Sequence, residues 1–201
     1  MDKQTEEILQ KIEEAEYVLV GLGQEFDMEF FLQSREDYRR IREELQQQNV
    51  LWLLPYVEEQ FRRQYLPEME AEIEKGLQKL AKVLEKKSYF VVSSSLNHKL
   101  AEVPWKKMLL KKERFVAPCG DWTKKQCPDG CEEGIQTETE ADEEQLQESF
   151  KKLQTNGFSV PDLGKCPKCG KKLVLNNVYA ARYHEKGYLK TWTEYQNWLQ
   201  N

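Results

Sequence analysis

Cys127-Pro-Asp-Gly-Cys131 and Cys166-Pro-Lys-Cys169-Gly170 are two thiol pairs, with 34 residues between them. Each pair is spaced to fold as a knuckle that turns two thiolates toward one point. Two knuckles together supply four thiolates, the closed tetrahedral set that structural Zn2+ takes. The second pair is the sharper signal, because Gly170 lets backbone N–H groups approach the sulfur. The first is one residue wider than the commonest spacing. The plain alternative is a set of buried, unliganded thiols. A closed four-cysteine site has no open position for substrate, so this zinc is expected to hold the surrounding chain together and not to catalyse.

The fifth cysteine does something else. Cys119 lies between Pro118 and Gly120, with seven residues between it and the first knuckle. It follows a short apolar run, Arg114-Phe-Val-Ala117, which reads as the end of a strand. Two further apolar runs end in polar or glycine-rich segments. Tyr17-Val-Leu-Val-Gly-Leu-Gly23 reads as a buried strand turning sharply, and Tyr89-Phe-Val-Val92 leads into Ser93-Ser-Ser-Leu-Asn-His98. In a parallel sheet, ligand-binding groups gather beyond the carboxyl ends of the strands. Gly21, Gly23, Ser95, Asn97 and Cys119 are therefore expected around one crevice.

Helices must connect these strands. Ile8, Leu9, Ile12 and Ala15 share one face of a first helix. Ser34-Arg-Glu-Asp37 reads as a capping box opening a helix to about residue 48. Residues 51–66 are rich in Trp, Leu and Tyr and are interrupted by Pro55. Met69, Ile73, Leu77, Leu80 and Leu84 mark a long amphipathic helix. Strand, helices and strand over some seventy residues imply parallel strands joined by a right-handed helical crossover. Residues 132–149 carry eight acids and few apolar groups, and read as an exposed excursion with a solvated acidic face at 138–148. Tyr188, Trp192, Tyr195 and Leu199 line one face of a final helix, and with Trp198 they form either core or a subunit interface.

The fold class expected is α/β: a partial Rossmann-like parallel sheet with a helical crossover and an inserted zinc-ribbon module. The division expected is a Rossmann-like region over 1–120, the zinc module over 121–176 and the aromatic helix over 177–201. The chain has 201 residues, 35 acids against 30 bases and a formal net charge of −5. That balance provides no basic stripe for phosphate neutralisation, so no nucleic-acid partner is expected. The acidic amphipathic start is not a signal peptide, and no run approaches the ~20 apolar residues of a membrane span. A cytoplasmic setting follows, with no membrane partner. There, close-set thiols point to metal before disulfide.

Taken in order, these motifs resemble the sirtuin family, and its bacterial branch of macrodomain-linked sirtuins most. The resemblance spans Tyr89 to about Trp198 and rests on YFVVSSSLNHKL, VAPCGDWTKKQC and SVPDLGKCPKCGKKLVLN; the N-terminal match rests on Val18–Gly23. Sirtuins use NAD and pass ADP-ribose to an acyl-lysine oxygen or to a protein side chain. The resemblance therefore implies NAD as a cofactor and an acyl-lysine or ADP-ribose acceptor protein as partner. It implies that Gly21 and Gly23 cradle the pyrophosphate through backbone N–H groups. Ser95 and Asn97 stand where the family keeps an Asn and an Asp beside nicotinamide and ribose. Cys119 stands where the family keeps its general-base His, and is the candidate catalytic residue.

The sequence also departs from that pattern. Gln24-Glu25-Phe26 follows the glycine turn in place of small residues, and Glu25 sets a negative charge near the expected pyrophosphate. Arg35 and Arg39 are the nearest counterparts of the family's arginine segment. The resemblance implies further strands after the zinc module, and residues 170–201 supply none. The sheet is thus expected to be truncated, or completed by a second copy or a partner chain. Three readings follow: an NAD-dependent deacylase or ADP-ribosyltransferase, a catalytically degenerate relative acting as a binding module, and a zinc ribbon unrelated to NAD. A tight turn accounts for Gly21 and Gly23 as well as phosphate does, and Cys119 reads equally as an inert, partly buried thiol. His98 and His184 are the only histidines, and both read as surface or hydrogen-bonded structural groups.

Overall fold

The structure is a computed structural model and describes residues 3–102, 112–131, 135–137 and 140–200. Helix α1 (Lys3–Glu14) leads into β1 (Tyr17–Leu22). A short 3-10 turn over Gln24–Asp27 follows, then α2 (Glu29–Leu32), α3 (Glu36–Gln47), α4 (Leu54–Tyr65) and α5 (Pro67–Leu84). Strand β2 (Ser88–Ser93) comes next, then β3 (Phe115–Val116), β4 (Gly120–Gln126), β5 (Gln136–Thr137), α6 (Glu140–Gln154), β6 (Val174–Asn177) and α7 (Lys186–Gln200).

Two three-stranded sheets result. The first is parallel with order β1-β2-β3, Tyr17 opposite Ser88 through Leu22 opposite Ser93, and Val92 opposite Val116. The second is antiparallel with order β5-β4-β6. The mixed α/β class and the parallel sheet are as the sequence pattern requires. Because β1 is an edge strand, it is half-buried where a buried strand was expected. Val18 and Val20 turn toward α5, while Tyr17 and Leu19 are about half exposed on the other face. Alternation along the pleat produces that split: α5 packs on the Val18–Val20 face, while on the other face the Trp198 ring of α7 stands 6.3 Å from that of Tyr17.

Beneath β1 and β2, Leu77 and Leu84 of α5 join Leu22, Tyr89, Val91 and Leu100, flanked by Ile73 and Leu80. This is the stripe that marked the long helix. The larger core lies elsewhere. It joins Tyr38, Ile41 and Leu45 of α3 and Val57 and Phe61 of α4 to Trp122, Leu146, Phe150, Leu163 and Leu175, with Cys127 and Cys166 among them. The helices before residue 120 and the cysteine-bearing segment after it thus share one core.

Two expectations change here. Helix α3 begins at Glu36 and its N-cap is Arg35, with no side-chain cap bond; the Ser34 hydroxyl instead donates to Phe31 O at 2.7 Å. The Ser34 capping box does not form, because that hydroxyl closes the preceding turn. Nor is the acidic stretch a solvated excursion throughout. Residues 132–134 and 138–139 lie outside the described residues, but α6 buries Leu146, Phe150 and Leu153. Three apolar residues at helical spacing suffice to seat a helix whose other faces carry the acids. Asp142 is itself buried, and each of its oxygens accepts from the Lys125 ammonium, at 2.8 and 2.7 Å.

The aromatic helix α7 folds back on the parallel sheet. Tyr195 and Trp198 stand 5.1 and 6.0 Å from the Phe90 ring of β2, and the Trp198 indole donates to Ser88 Oγ at 2.8 Å. These rings cover the sheet face of this chain, which leaves Leu189 and Leu199 as the exposed apolar residues of α7.

Candidate metal centre and strand-end crevice

The four knuckle cysteines meet. The Sγ atoms of Cys127, Cys131, Cys166 and Cys169 all lie within 4.8 Å of one another, and those of Cys127 and Cys169 are 3.4 Å apart. A tetrahedron of Zn–S bonds has edges of about 3.8 Å, so this set can hold a metal ion with little movement. Local backbone explains why. Gly130 and Gly170 take positive φ, 77° and 73°, and close the knuckles through Gly130 N to Cys127 O (3.0 Å) and Gly170 N to Cys166 O (2.9 Å). Cys166 N bonds Lys171 O at 2.8 Å, and Lys165 pairs with Lys172 across the second knuckle. The two knuckles are tied by the Lys171–Asp129 ion pair at 2.7 Å.

The thiols share their charge unequally. Burial opposes a thiolate at Cys127, but N–H groups of Cys131 and Asp129 and the neighbouring thiols outweigh it and bring that thiol down to about 7. Cys131 is pushed up to about 12 by burial and by donating toward Cys127. The four sulfurs form a donor set that a cation would complete. The cluster stands at the end of β4 and against β6, with Cys127 and Cys166 inside the larger core.

The three strand ends also meet. Gln24 and Asp27 after β1, Ser94 and Leu96 after β2, and Cys119 after β3 line one small cavity of about 60 Å3, together with Glu58, Val178 and Tyr179. The chain then spends the polar groups of that crevice on itself. Asp27 is buried, and its Oδ1 accepts from the Ser95 hydroxyl, from Leu96 N at 2.8 Å and from Asn97 N at 3.1 Å. The Asn97 side chain donates to Phe26 O at 3.0 Å. Behind it, buried Arg62 holds Asp27 O at 3.2 Å and the Glu70 carboxylate at 3.1 Å, and Lys99 pairs with the same Glu70. Burial raises the Asp27 carboxyl above the usual range, against the donors that favour its charged form.

The glycine turn is occupied in the same way. Gly23 N donates to Glu25 Oε1 at 3.2 Å, so a carboxylate of the chain takes the N–H expected to meet a phosphate. A Cβ at Gly23 would fall 2.1 Å from Glu25 Oε2, whereas one at Gly21 would meet nothing within 4 Å. Cys119 is half-buried, and burial followed by the Asp27 charge pushes its thiol up. Arg35 and Arg39 do not reach the crevice. Arg35 forks onto Asp37 at 2.9 and 3.0 Å over the Tyr65 ring, and Arg39 bonds Gln33 O at 2.6 Å. They line a separate open depression with Ser34 and Asn156.

Gly120 is where the sheets are joined. It sits opposite Asn177 with φ of 71°, and a Cβ there would fall 2.2 Å from Asn176 O. Only glycine lets β4 leave the β3 end so close to β6. His184 is structural, with its Nδ1 accepting from Lys186 N at 3.3 Å at the start of α7. His98 is different: its Nδ1 lies 3.6 Å from Asp121 Oδ2 and its Nε2 3.2 Å from Glu102 Oε1. Burial works against its charge, but Asp121 and Glu102 raise its pKa overall.

Asp27, Glu58 and Asp121 escaped the sequence reading. Acids at the surface and acids that hold a crevice shut look alike in a chain that is 32% charged. The one signal was the spacing of Asp27 behind the glycine turn. No protein-family model matches the chain, and no curated protein matches it at a significant level. Among the described residues no helix is long and apolar enough to cross a membrane.

Proposed function

We propose that the protein is a sirtuin-like, NAD-related module with a structural zinc ion at Cys127, Cys131, Cys166 and Cys169. The observation that carries the reading is the meeting of the Asp27, Ser94–Leu96 and Cys119 strand ends in one crevice, in a chain that also brings four cysteines together at the other end of β4. A parallel sheet presents its ligand at such a point. The four thiolates would saturate the zinc, so its role is to fix the end of β4 and the start of β6, where Gln126 lies opposite Val174. Bound dinucleotide would need Glu25 to swing away from Gly23 N, and the nicotinamide end would need Asp27 to release Ser95 and Asn97. Cys119 would be the group facing the ribose. With its thiol pushed up by burial and by Asp27, it is poorly set to act as a base at neutral pH.

Those same internal bonds favour a second reading, in which the crevice has become core and the protein acts by binding a partner without NAD turnover. Calorimetric titration of the zinc-loaded protein with NAD and, separately, ADP-ribose distinguishes the two. Saturable binding that weakens in Gly23→Val supports the first reading. Its failure up to millimolar ligand, together with no nicotinamide release with acyl-peptide or protein acceptors, leaves the second.

A further inference from the structure

Strand β1 has β2 on one side and, among the described residues, no strand on the other. Its backbone groups alternate between the two sides. Glu16 O accepts from Ser88 N at 3.0 Å and Leu22 O from Ser94 N at 2.9 Å, so Glu16, Val18, Val20 and Leu22 turn their N–H and C=O groups toward β2. Tyr17, Leu19 and Gly21 therefore turn theirs outward, and among the described residues none of these outward groups is bonded.

Natural sheet edges are guarded by a charge, a proline, a bulge or a covering element. Strand β1 has none of the first three: YVLVGL is uncharged and runs in unbroken register along β2. The side chains of the outward-turned residues are open as well. Tyr17 is 55% exposed and Leu19 51%, and a Cβ on the exposed Gly21 would meet nothing within 4 Å.

This edge is complementary to itself. Two antiparallel copies of β1 pair about a two-fold axis when Leu19 lies opposite Leu19. In that register Tyr17 lies opposite Gly21 of the second copy, and Gly21 opposite its Tyr17. Every outward N–H and C=O group of both strands then finds a partner. Directly opposed side chains share a face, so each Tyr17 ring covers the open space beside a Gly21, and the two Leu19 side chains meet. A slip to either neighbouring register leaves Tyr17 or Gly21 with no opposite residue in the strand.

We propose that the occupant of this edge is a second copy of the chain, bound by antiparallel β1–β1 pairing that joins the two parallel sheets into one continuous sheet. The surface lies on the open edge of β1 and does not depend on the NAD reading. The open parts of Tyr17 and Leu19 and the strand edge amount to a few hundred Å2 per copy, short of the about 800 Å2 per partner of a standard interface. The dimer is accordingly weak, in exchange with monomer at micromolar concentrations.

Sedimentation of the zinc-loaded full chain from low micromolar to several hundred micromolar tests this. Monomer should pass reversibly into dimer, and amide hydrogen exchange at Tyr17, Leu19 and Gly21 should slow as dimer forms. Leu19→Lys sets two ammonium groups opposite each other and should raise the dimer Kd about tenfold or more. Gly21→Val takes the space that the Tyr17 ring of the second copy needs, and should weaken the dimer about tenfold while leaving Tm unchanged or higher. Leu189→Lys, at an exposed position of α7, should leave association unchanged. Monomer at every concentration overturns the proposal. So does a dimer that survives both β1 variants, or one that forms without slowing exchange at these amides, since it would use another face.

Discussion

Asp27 and Asn97 stand seventy residues apart in the chain, yet Asn97 N donates to Asp27 Oδ1 at 3.1 Å. One carboxylate thereby ties the loop after β1 to the segment after β2, beyond the carboxyl ends of both strands. That bond organises the crevice from inside. Asp27→Ala should leave Leu96 N buried and unpaired, while Asn97 N keeps the Ser95 hydroxyl at 3.0 Å, and destabilise the protein by about 1–3 kcal/mol. Asp27→Asn, which retains an acceptor, should cost less. Urea unfolding of the two variants at one pH checks the order.

Glu58 makes stability depend on pH. It is 3% exposed; burial raises its carboxyl to about 7, against the Tyr38 hydroxyl that donates to it at 2.7 Å. A raised carboxyl pKa means that the folded state holds the proton longer than the unfolded state. Its contribution is full below pH 4.5 and is lost as pH rises through about 7. Between pH 5.5 and 8 the zinc-loaded protein should lose on the order of 2–3 kcal/mol from this group, and Glu58→Gln should flatten that part of the curve. Unfolding curves across that range decide it.

Metal removal should be felt beyond the knuckles, because Cys127 and Cys166 belong to the same core as Phe61 and Tyr38. The protein should carry one zinc per chain by elemental analysis. Chelation or Cys166→Ser should lower Tm by on the order of 10 °C or more, while Cys119→Ser should leave the zinc content unchanged.

Phe150 tests whether α6 is core. It is 6% exposed and its ring meets Phe61 edge-on at 5.8 Å. Phe150→Ala should cost about 3–5 kcal/mol in denaturant unfolding, against less than about 0.5 kcal/mol for the exposed Glu144→Ala on the same helix.

Glu25 decides access to the glycine turn. Replacing it by Ala removes a negative charge and frees Gly23 N, so ADP-ribose should bind about tenfold more tightly than to the unmodified chain, by calorimetry. An unchanged affinity would count against the proposed pyrophosphate contact at Gly23.

The cysteine spacing, the three apolar runs and the stripe from Ile73 to Leu84 were enough to read off the four-thiolate cluster, the parallel sheet and its long covering helix. Such patterns are local: a knuckle needs only its turn, a strand its alternation and a helix face its period. What the crevice contains was not legible in the same way. That Asp27 claims Ser95 and Asn97, and that His98 stands 3.6 Å from Asp121, depends on residues brought together from distant segments. Solvated and buried acids share one letter in the sequence, and only packing distinguishes them. The same holds for α6, whose acids spoke louder than Leu146, Phe150 and Leu153, and for α7, whose aromatic stripe found its partner in Phe90. The sequence by itself determined the parallel strands, the long helix and the set of four cysteines, because those follow from short-range spacing, whereas the antiparallel sheet and α6 were not legible in it. Tertiary structure alone decided which charges are buried, and so whether the strand ends are open to a ligand or closed by the chain itself.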